Sequence, residues 1–109
     1  MFKVIENPEF SRKVTVAVPV DGGFENQVLG VRFRVLPQDR INEIAEATPG
    51  DYRGLVGAMV VTLEDMVDGA GAPLTCNDAV RAAVLDWPYV RTAILGAYSE
   101  ATSGAKRGN

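Results

Sequence analysis

Three carboxylates lie close together in the middle of the chain, at Glu64, Asp65 and Asp68. Clustered carboxylates can hold a divalent cation or act as an acid and base pair. On a helix, Glu64 and Asp68 would be one turn apart and able to share a cation. The alternative is that all three side chains form the solvated face of an amphipathic helix. Their spacing does not match an EF-hand loop.

Other catalytic chemistry is restricted by the residue types present. The 109 residues include no histidine and a single cysteine, Cys76. A Cys/His zinc site and a Ser-His-Asp triad are therefore excluded, and Cys76 has no histidine to activate it. Gly69 and Gly71 lack the third glycine and the Lys-Ser/Thr pair of nucleotide-binding loops. We expect no enzyme activity, no cofactor and no bound metal.

The composition is that of a globular domain. Hydrophobic residues make up 47% and charged residues 23% of the 109 positions, close to the averages of folded domains, and this length forms one core. A net charge of −3 argues against nucleic acid as a partner. No apolar run reaches the roughly 20 residues of a membrane span, and the first residues lack the apolar core of a signal peptide. We expect a cytosolic protein without a membrane partner.

The first third of the sequence predicts an antiparallel β-hairpin. Apolar residues occupy alternate positions over residues 14–18 and 29–35, and Asp21-Gly22-Gly23 between them favours a tight turn. Residues 2–5 can add a short third strand.

Two arginines fall on one face of the second predicted strand. Arg32 and Arg34 alternate with Val31, Phe33 and Val35, which places the charges on the opposite face from the apolar side chains. This face can meet an acidic partner, or it can be an ordinary solvated face. We include both arginines among the predicted partner-binding residues, as the second choice.

About four helices are predicted after the hairpin. The apolar period changes to 3.6 at Gln38, and Pro49-Gly50 ends the first helix. A second, strongly apolar helix is predicted over residues 52–67. Asn77 or Thr75 can cap a third helix, and Pro88 suits the first turn of a fourth. Strands followed by helices indicate the α+β class, with a single domain over residues 1–101 and a flexible tail over residues 102–109.

The second predicted helix carries the best local evidence for a binding surface. Its apolar stripe comprises Tyr52, Leu55, Val56, Met59, Val60, Leu63, Met66 and Val67. Because so small a domain has a limited core, part of this stripe can remain for a partner, and we predict Tyr52, Met59 and Met66 as binding residues. The alternative is that both methionines fill the core. Trp87, likewise, either anchors a partner or packs at the junction of two helices.

Several short segments in the C-terminal third occur in a characteristic order. Asp68…Gly71-x-Pro73-Leu74 precedes a helix capped at Asn77, Leu85-Asp86-x-Pro88-x-Val90-Arg91 separates the last two helices, and Ala97-Tyr98-x-x-Ala101 follows. In this order the segments resemble the tail assembly chaperones of long-tailed bacteriophages. The second hairpin strand, with Val31-x-Phe33-x-Val35, is similar as well. One departure is Leu63, which stands where such proteins usually carry a tryptophan.

The resemblance implies a function in phage or prophage tail assembly. It implies a chaperone in the host bacterial cytoplasm that binds and solubilises the tape measure protein while tail tube subunits polymerise around it, and that is absent from the mature virion. The implied partners are the tape measure protein, the tail tube protein and further copies of this chain. The alternative is a structural protein retained in the virion, such as a head-tail adaptor or a tail completion protein.

Overall fold

The computed structural model describes residues 1–104, in which a three-stranded antiparallel sheet packs against helices. In chain order the elements are β1 (Glu9–Val20), β2 (Gly23–Arg34), α1 (Gln38–Ala47), α2 (Arg53–Met59), β3 (Val60–Glu64), β4 (Met66–Val67), β5 (Pro73–Leu74), α3 (Asp78–Leu85) and α4 (Pro88–Ser103). The sheet has the order β1-β2-β3, and β4 pairs with β5 in a separate ribbon. The predicted α+β class, with an N-terminal hairpin followed by four helices, is confirmed.

The predicted hairpin is formed by β1 and β2, which pair from Glu9↔Arg34 to Val20↔Gly23. Gly22 in the two-residue turn has a φ of 80°, a left-handed conformation that glycine adopts at little cost. Alternate residues of both strands, such as Val14 and Val31, are buried against the helices. The hairpin thus has one apolar face and one solvated face, as the alternation predicts.

The third strand of the sheet comes from a part of the chain predicted to be helical. Residues 2–5 are not in a strand, and β3 instead pairs with β2. The predicted helix over residues 52–67 is wrong beyond Met59, since the backbone is extended at Val60, with φ −97° and ψ 117°. The run Val60-Val61-Thr62 explains this change, because β-branched side chains are restricted in helices and fit a pleated sheet.

The remaining helices begin where the sequence signals indicate. Asn77 caps α3, and its side chain accepts a 2.8 Å hydrogen bond from the backbone N–H of Val80. Pro88 occupies the first turn of α4, which continues through Ser103 and ends at Gly104 with a φ of 71°. The rest of the predicted tail, residues 105–109, lies outside the described residues.

One hydrophobic core connects the sheet to the helices. Phe33, Met59 and Ile94 are its largest fully buried side chains. Phe33 stacks on Phe10 with ring centroids 5.1 Å apart. The hydroxyl of Tyr98 in α4 accepts a 2.9 Å hydrogen bond from the buried backbone N–H of Leu36. These contacts fix the half of the hairpin nearest to its open end.

Candidate docking groove

Strand β2 is paired on both sides over only part of its length. Strand β1 pairs with all of β2, whereas β3 pairs with it only from Gly30 to Phe33. Within the described residues, positions 23–29 of β2 therefore have a strand neighbour on one side alone. An open strand edge presents backbone N–H and C=O groups to which another chain can bind.

An apolar groove with a volume of about 800 Å³ lies beside this open edge. Its walls are the turn-proximal half of the hairpin, the β4–β5 ribbon and the junction between α3 and α4. The side chains with most bearing on binding are Val18, Val67, Leu74 and Trp87. Among the described residues that line the groove, Asp65 is the only charged one.

Much of the apolar lining is accessible to water. The exposed fractions are 61% for Val67, 37% for Leu74 and 56% for Trp87. Single exposed apolar residues are ordinary on protein surfaces, but a contiguous concave group of them marks an interaction site. The groove is therefore our candidate for the functional site.

The ribbon wall of the groove is held in place by Asp68. One oxygen of its carboxylate accepts hydrogen bonds from the backbone N–H groups of Ala70, at 2.9 Å, and Ala72, at 3.0 Å. The loop between the two strands is closed in this way, and Val67 is set opposite Pro73 in the ribbon. Asp68 thus has a structural role in shaping the groove.

The aromatic wall of the groove is held by the helix junction. Trp87 immediately precedes α4, and its ring stacks on that of Tyr89. The guanidinium of Arg91 donates hydrogen bonds to the carbonyls of Leu85, at 3.2 Å, and Asp86, at 2.7 Å, which orders the end of α3. Trp87 accordingly packs at the junction, as one alternative predicted, while more than half of it stays exposed for a partner.

The corner between β3 and β4 brings a carboxylate to the groove. Asp65 has a φ of 58°, a left-handed conformation in which Asp is one of the few tolerated side chains. Its carboxylate lies over Gly30, where an added Cβ would be 2.8 Å from an Asp65 carboxylate oxygen. Because glycine has no Cβ, Gly30 leaves room for β2 to pass beneath this corner.

The cluster of Glu64, Asp65 and Asp68 does not have the geometry required for the shared-cation hypothesis. Glu64 ends a strand and Asp68 lies in the ribbon loop, so the helical spacing predicted for the two carboxylates is wrong. Within residues 1–104, no group of three or more potential metal-ligating side chains is close enough to hold an ion. The lack of enzyme activity stays a prediction.

The residues predicted from the apolar stripe do not share one surface. Met66 lines the groove. Met59 is only 1% exposed and fills the core, so its prediction as an exposed binding residue is wrong. Tyr52 is 58% exposed but does not line the groove. The stripe is divided because the chain changes from helix to strand after Met59.

The two predicted arginines lie on the solvated face of the sheet and have intramolecular partners. Arg32 forms an ion pair with Glu9, with 3.2 Å between Nε and Oε1, and donates to the Ser11 hydroxyl at 3.3 Å. Arg34 donates to the carbonyl of Ala58 at 3.3 Å. These contacts reduce the free positive charge that this face offers to an acidic partner.

Comparisons with known proteins give no match: no family model fits the chain, and no curated protein or solved structure is significantly similar to it. Among the helices of the described residues, none has the length and apolar character needed to cross a membrane.

Proposed function

We propose that this protein is a tail assembly chaperone of a long-tailed phage or prophage, acting in the host cytoplasm on the tape measure protein. The proposal rests on the order of the C-terminal segments, from Asp68 to Ala101, that resemble that family. The structural observation that supports it is the apolar groove, which offers exposed aliphatic and aromatic side chains to an apolar partner.

The client surface that fits this groove is the apolar stripe of a long helix. An amphipathic helix places side chains at intervals of three and four into a hydrophobic groove. Val67 and Leu74 would contact the stripe, and Trp87 would supply the largest single contact area. Binding would shield the stripe from water and from other client helices.

The energetics of the groove favour weak, repeated binding. Full burial of a Val or Leu side chain contributes about 1.5–3 kcal/mol, and these side chains are already about half buried, so each adds about 1 kcal/mol. Association costs about 4–15 kcal/mol in lost freedom of motion. One groove thus binds a client only weakly, and many copies of the chain are needed along a long helix. Weakly bound copies can then be displaced by polymerising tube subunits.

The proposal is tested by a pull-down through an N-terminal tag from cells that express the natural locus, with mass spectrometry of the recovered proteins. Recovery of the long helical tape measure protein supports the chaperone function. Recovery of only tube, portal or adaptor proteins, together with this chain in purified virions, would instead establish the structural alternative.

A matched pair of variants locates the binding surface in the same experiment. Val67 and Tyr52 have similar exposed fractions, 61% and 58%, but only Val67 lines the groove. Val67→Glu should abolish recovery of the tape measure protein, whereas Tyr52→Glu should not. Loss of the tape measure protein with Tyr52→Glu alone would assign binding to the surface around α2. A third variant, Arg32→Glu, tests the sheet face, and a loss confined to it would assign binding there.

A further inference from the structure

The N-terminal segment of residues 1–5 exposes apolar side chains without a partner element. The exposed fractions are 91% for Phe2, 84% for Val4 and 59% for Ile5. The segment has the composition of a β-strand, yet it joins neither the sheet nor the ribbon. Three large apolar side chains in so short an exposed stretch favour burial against another surface.

The turn-proximal part of the same chain's groove is out of reach of this segment. The carbonyl of Pro8 accepts a 2.9 Å hydrogen bond from the N–H of Val35, which fixes the chain at the open end of the hairpin. Even when fully extended, the six steps from Pro8 back to Phe2 span about 20 Å. Val18 in the groove wall lies ten residues beyond Pro8 along the hairpin, which corresponds to about 33 Å.

We propose that residues 2–5 of one copy add as a strand to the open edge of β2 in a second copy, with Phe2 and Val4 buried in that copy's groove. The edge over residues 23–29 supplies unpaired backbone groups, and the groove beside it supplies apolar contacts. In an extended segment Phe2 and Val4 point to the same side.

Charge and symmetry agree with this occupant. Lys3 alternates with Phe2 and Val4, so it would lie on the other face of the added strand, which is the face of β2 on which the Asp65 carboxylate lies over Gly30. The segment leaves the open end of the hairpin while the groove lies towards its turn. Two copies with antiparallel hairpins therefore place each segment beside the other copy's groove, which gives a closed two-fold dimer.

This dimer covers the same groove that we assign to the client. The N-terminal segment and a client helix then compete for the groove, and this consequence rests on the proposed function. The dimer itself does not depend on that function, and its tests use only this chain.

The first test is sedimentation equilibrium of the full chain and three variants. The wild-type chain should be a dimer, and both Val4→Glu in the segment and Leu74→Glu in the groove should shift it to monomer with at least a tenfold weaker dimer Kd. Tyr52→Glu, at an exposed site outside the groove, should leave the dimer unchanged. A monomeric wild-type chain, or a dimer that survives Val4→Glu, would overturn the proposal.

The second test uses Trp87, the only tryptophan in the chain, as a probe of the groove. A synthetic peptide of residues 1–6 is titrated into the Val4→Glu variant, whose groove is intact. We expect a saturable blue shift of the Trp87 emission, and no shift when the receiving protein also carries Leu74→Glu. Unchanged emission in the Val4→Glu variant, or an equal shift in both proteins, would contradict the proposal even if Leu74→Glu failed to fold.

Discussion

The rings of Trp87 and Tyr89 stack with their centroids 5.9 Å apart and their planes inclined by 25°. Both residues line the groove, and both belong to the junction that leads into α4. A large aromatic side chain that is already held by a neighbour loses little conformational freedom when a partner binds. The groove therefore offers a preformed anchor despite the exposure of its surface.

We expect Tyr98→Phe to destabilise the protein without a change of fold. The substitution removes the hydroxyl that accepts the hydrogen bond from the buried N–H of Leu36. A buried donor without a partner costs about 1–3 kcal/mol in the free energy of unfolding. Urea denaturation followed by circular dichroism measures this loss, and an unchanged midpoint would show that the N–H finds another acceptor.

Arg81 should contribute strongly to the stability of the junction between α2 and β3. One nitrogen of its guanidinium donates to the carbonyls of Gly57, at 2.6 Å, and Val60, at 2.7 Å. Arg81→Met keeps the apolar stem but removes two hydrogen bonds from a charged donor, so we expect a loss of about 2–3 kcal/mol in unfolding free energy.

A matched control for Arg81 is Arg40→Met. The Arg40 side chain is 50% exposed and pairs with Glu43 at 2.7 Å, and such surface pairs contribute less than about 1 kcal/mol. Equal losses for the two variants in urea denaturation would contradict a special role of Arg81.

Gly30→Ala should destabilise the corner that carries Asp65. The new Cβ would lie 2.8 Å from an Asp65 carboxylate oxygen and 3.1 Å from the Glu64 Cβ, and such crowding costs about 1–3 kcal/mol. Adding Asp65→Gly should recover most of the loss, because it removes the nearest atom and suits the positive φ. The measurement is thermal unfolding of the two variants.

The control for this crowding is Gly57→Ala in α2, where an added Cβ has no neighbour within 4 Å. We expect a gain of about 0.5–1 kcal/mol from the helix preference of alanine. If Gly30→Ala proved as favourable as Gly57→Ala, the close approach of Asp65 to β2 would be refuted.

The Asp51–Arg53 pair should make the free energy of unfolding depend on pH in the acidic range. The side-chain hydrogen bond from Arg53, followed by that from its backbone N–H, lowers the pKa of Asp51 from 3.8 to about 2. A carboxylate with a lowered pKa in the folded state stabilises the protein above its unfolded pKa, and this contribution is lost as the pH falls from about 4 towards 2. Urea midpoints between pH 5 and pH 2 should fall less steeply for Asp51→Asn than for the wild-type chain, and parallel curves would contradict the assignment.

Local signals in the sequence predicted the elements that local interactions determine. The hairpin follows from alternation and the turn at Gly22, and α3 and α4 follow from Asn77 and Pro88. Strand β3 was not predicted, because the periodicity of its apolar residues suits a helix as well. Its extended form depends on pairing with a strand about 30 residues earlier. Tertiary context decided between the two conformations.

The candidate site was predicted only in part for the same reason. Met66 was found, because it belongs to an apolar stripe, but Met59 was misplaced when the helix ended earlier than expected. Val67 appeared only as a member of that stripe. Leu74 appeared only in the segment that resembles the chaperone family, since strands of two residues are too short to show a period. The groove itself arises from the unequal pairing of β2, which no local pattern records.

The most direct test of the chaperone proposal is light scattering of the purified tape measure protein of the same locus, diluted from denaturant with and without this chain. We expect the wild-type chain and Tyr52→Glu to suppress aggregation in proportion to their concentration, and Val67→Glu to have little effect. Aggregation that proceeds unchanged with the wild-type chain would contradict the proposed function, and equal suppression by Val67→Glu would contradict the groove as its site.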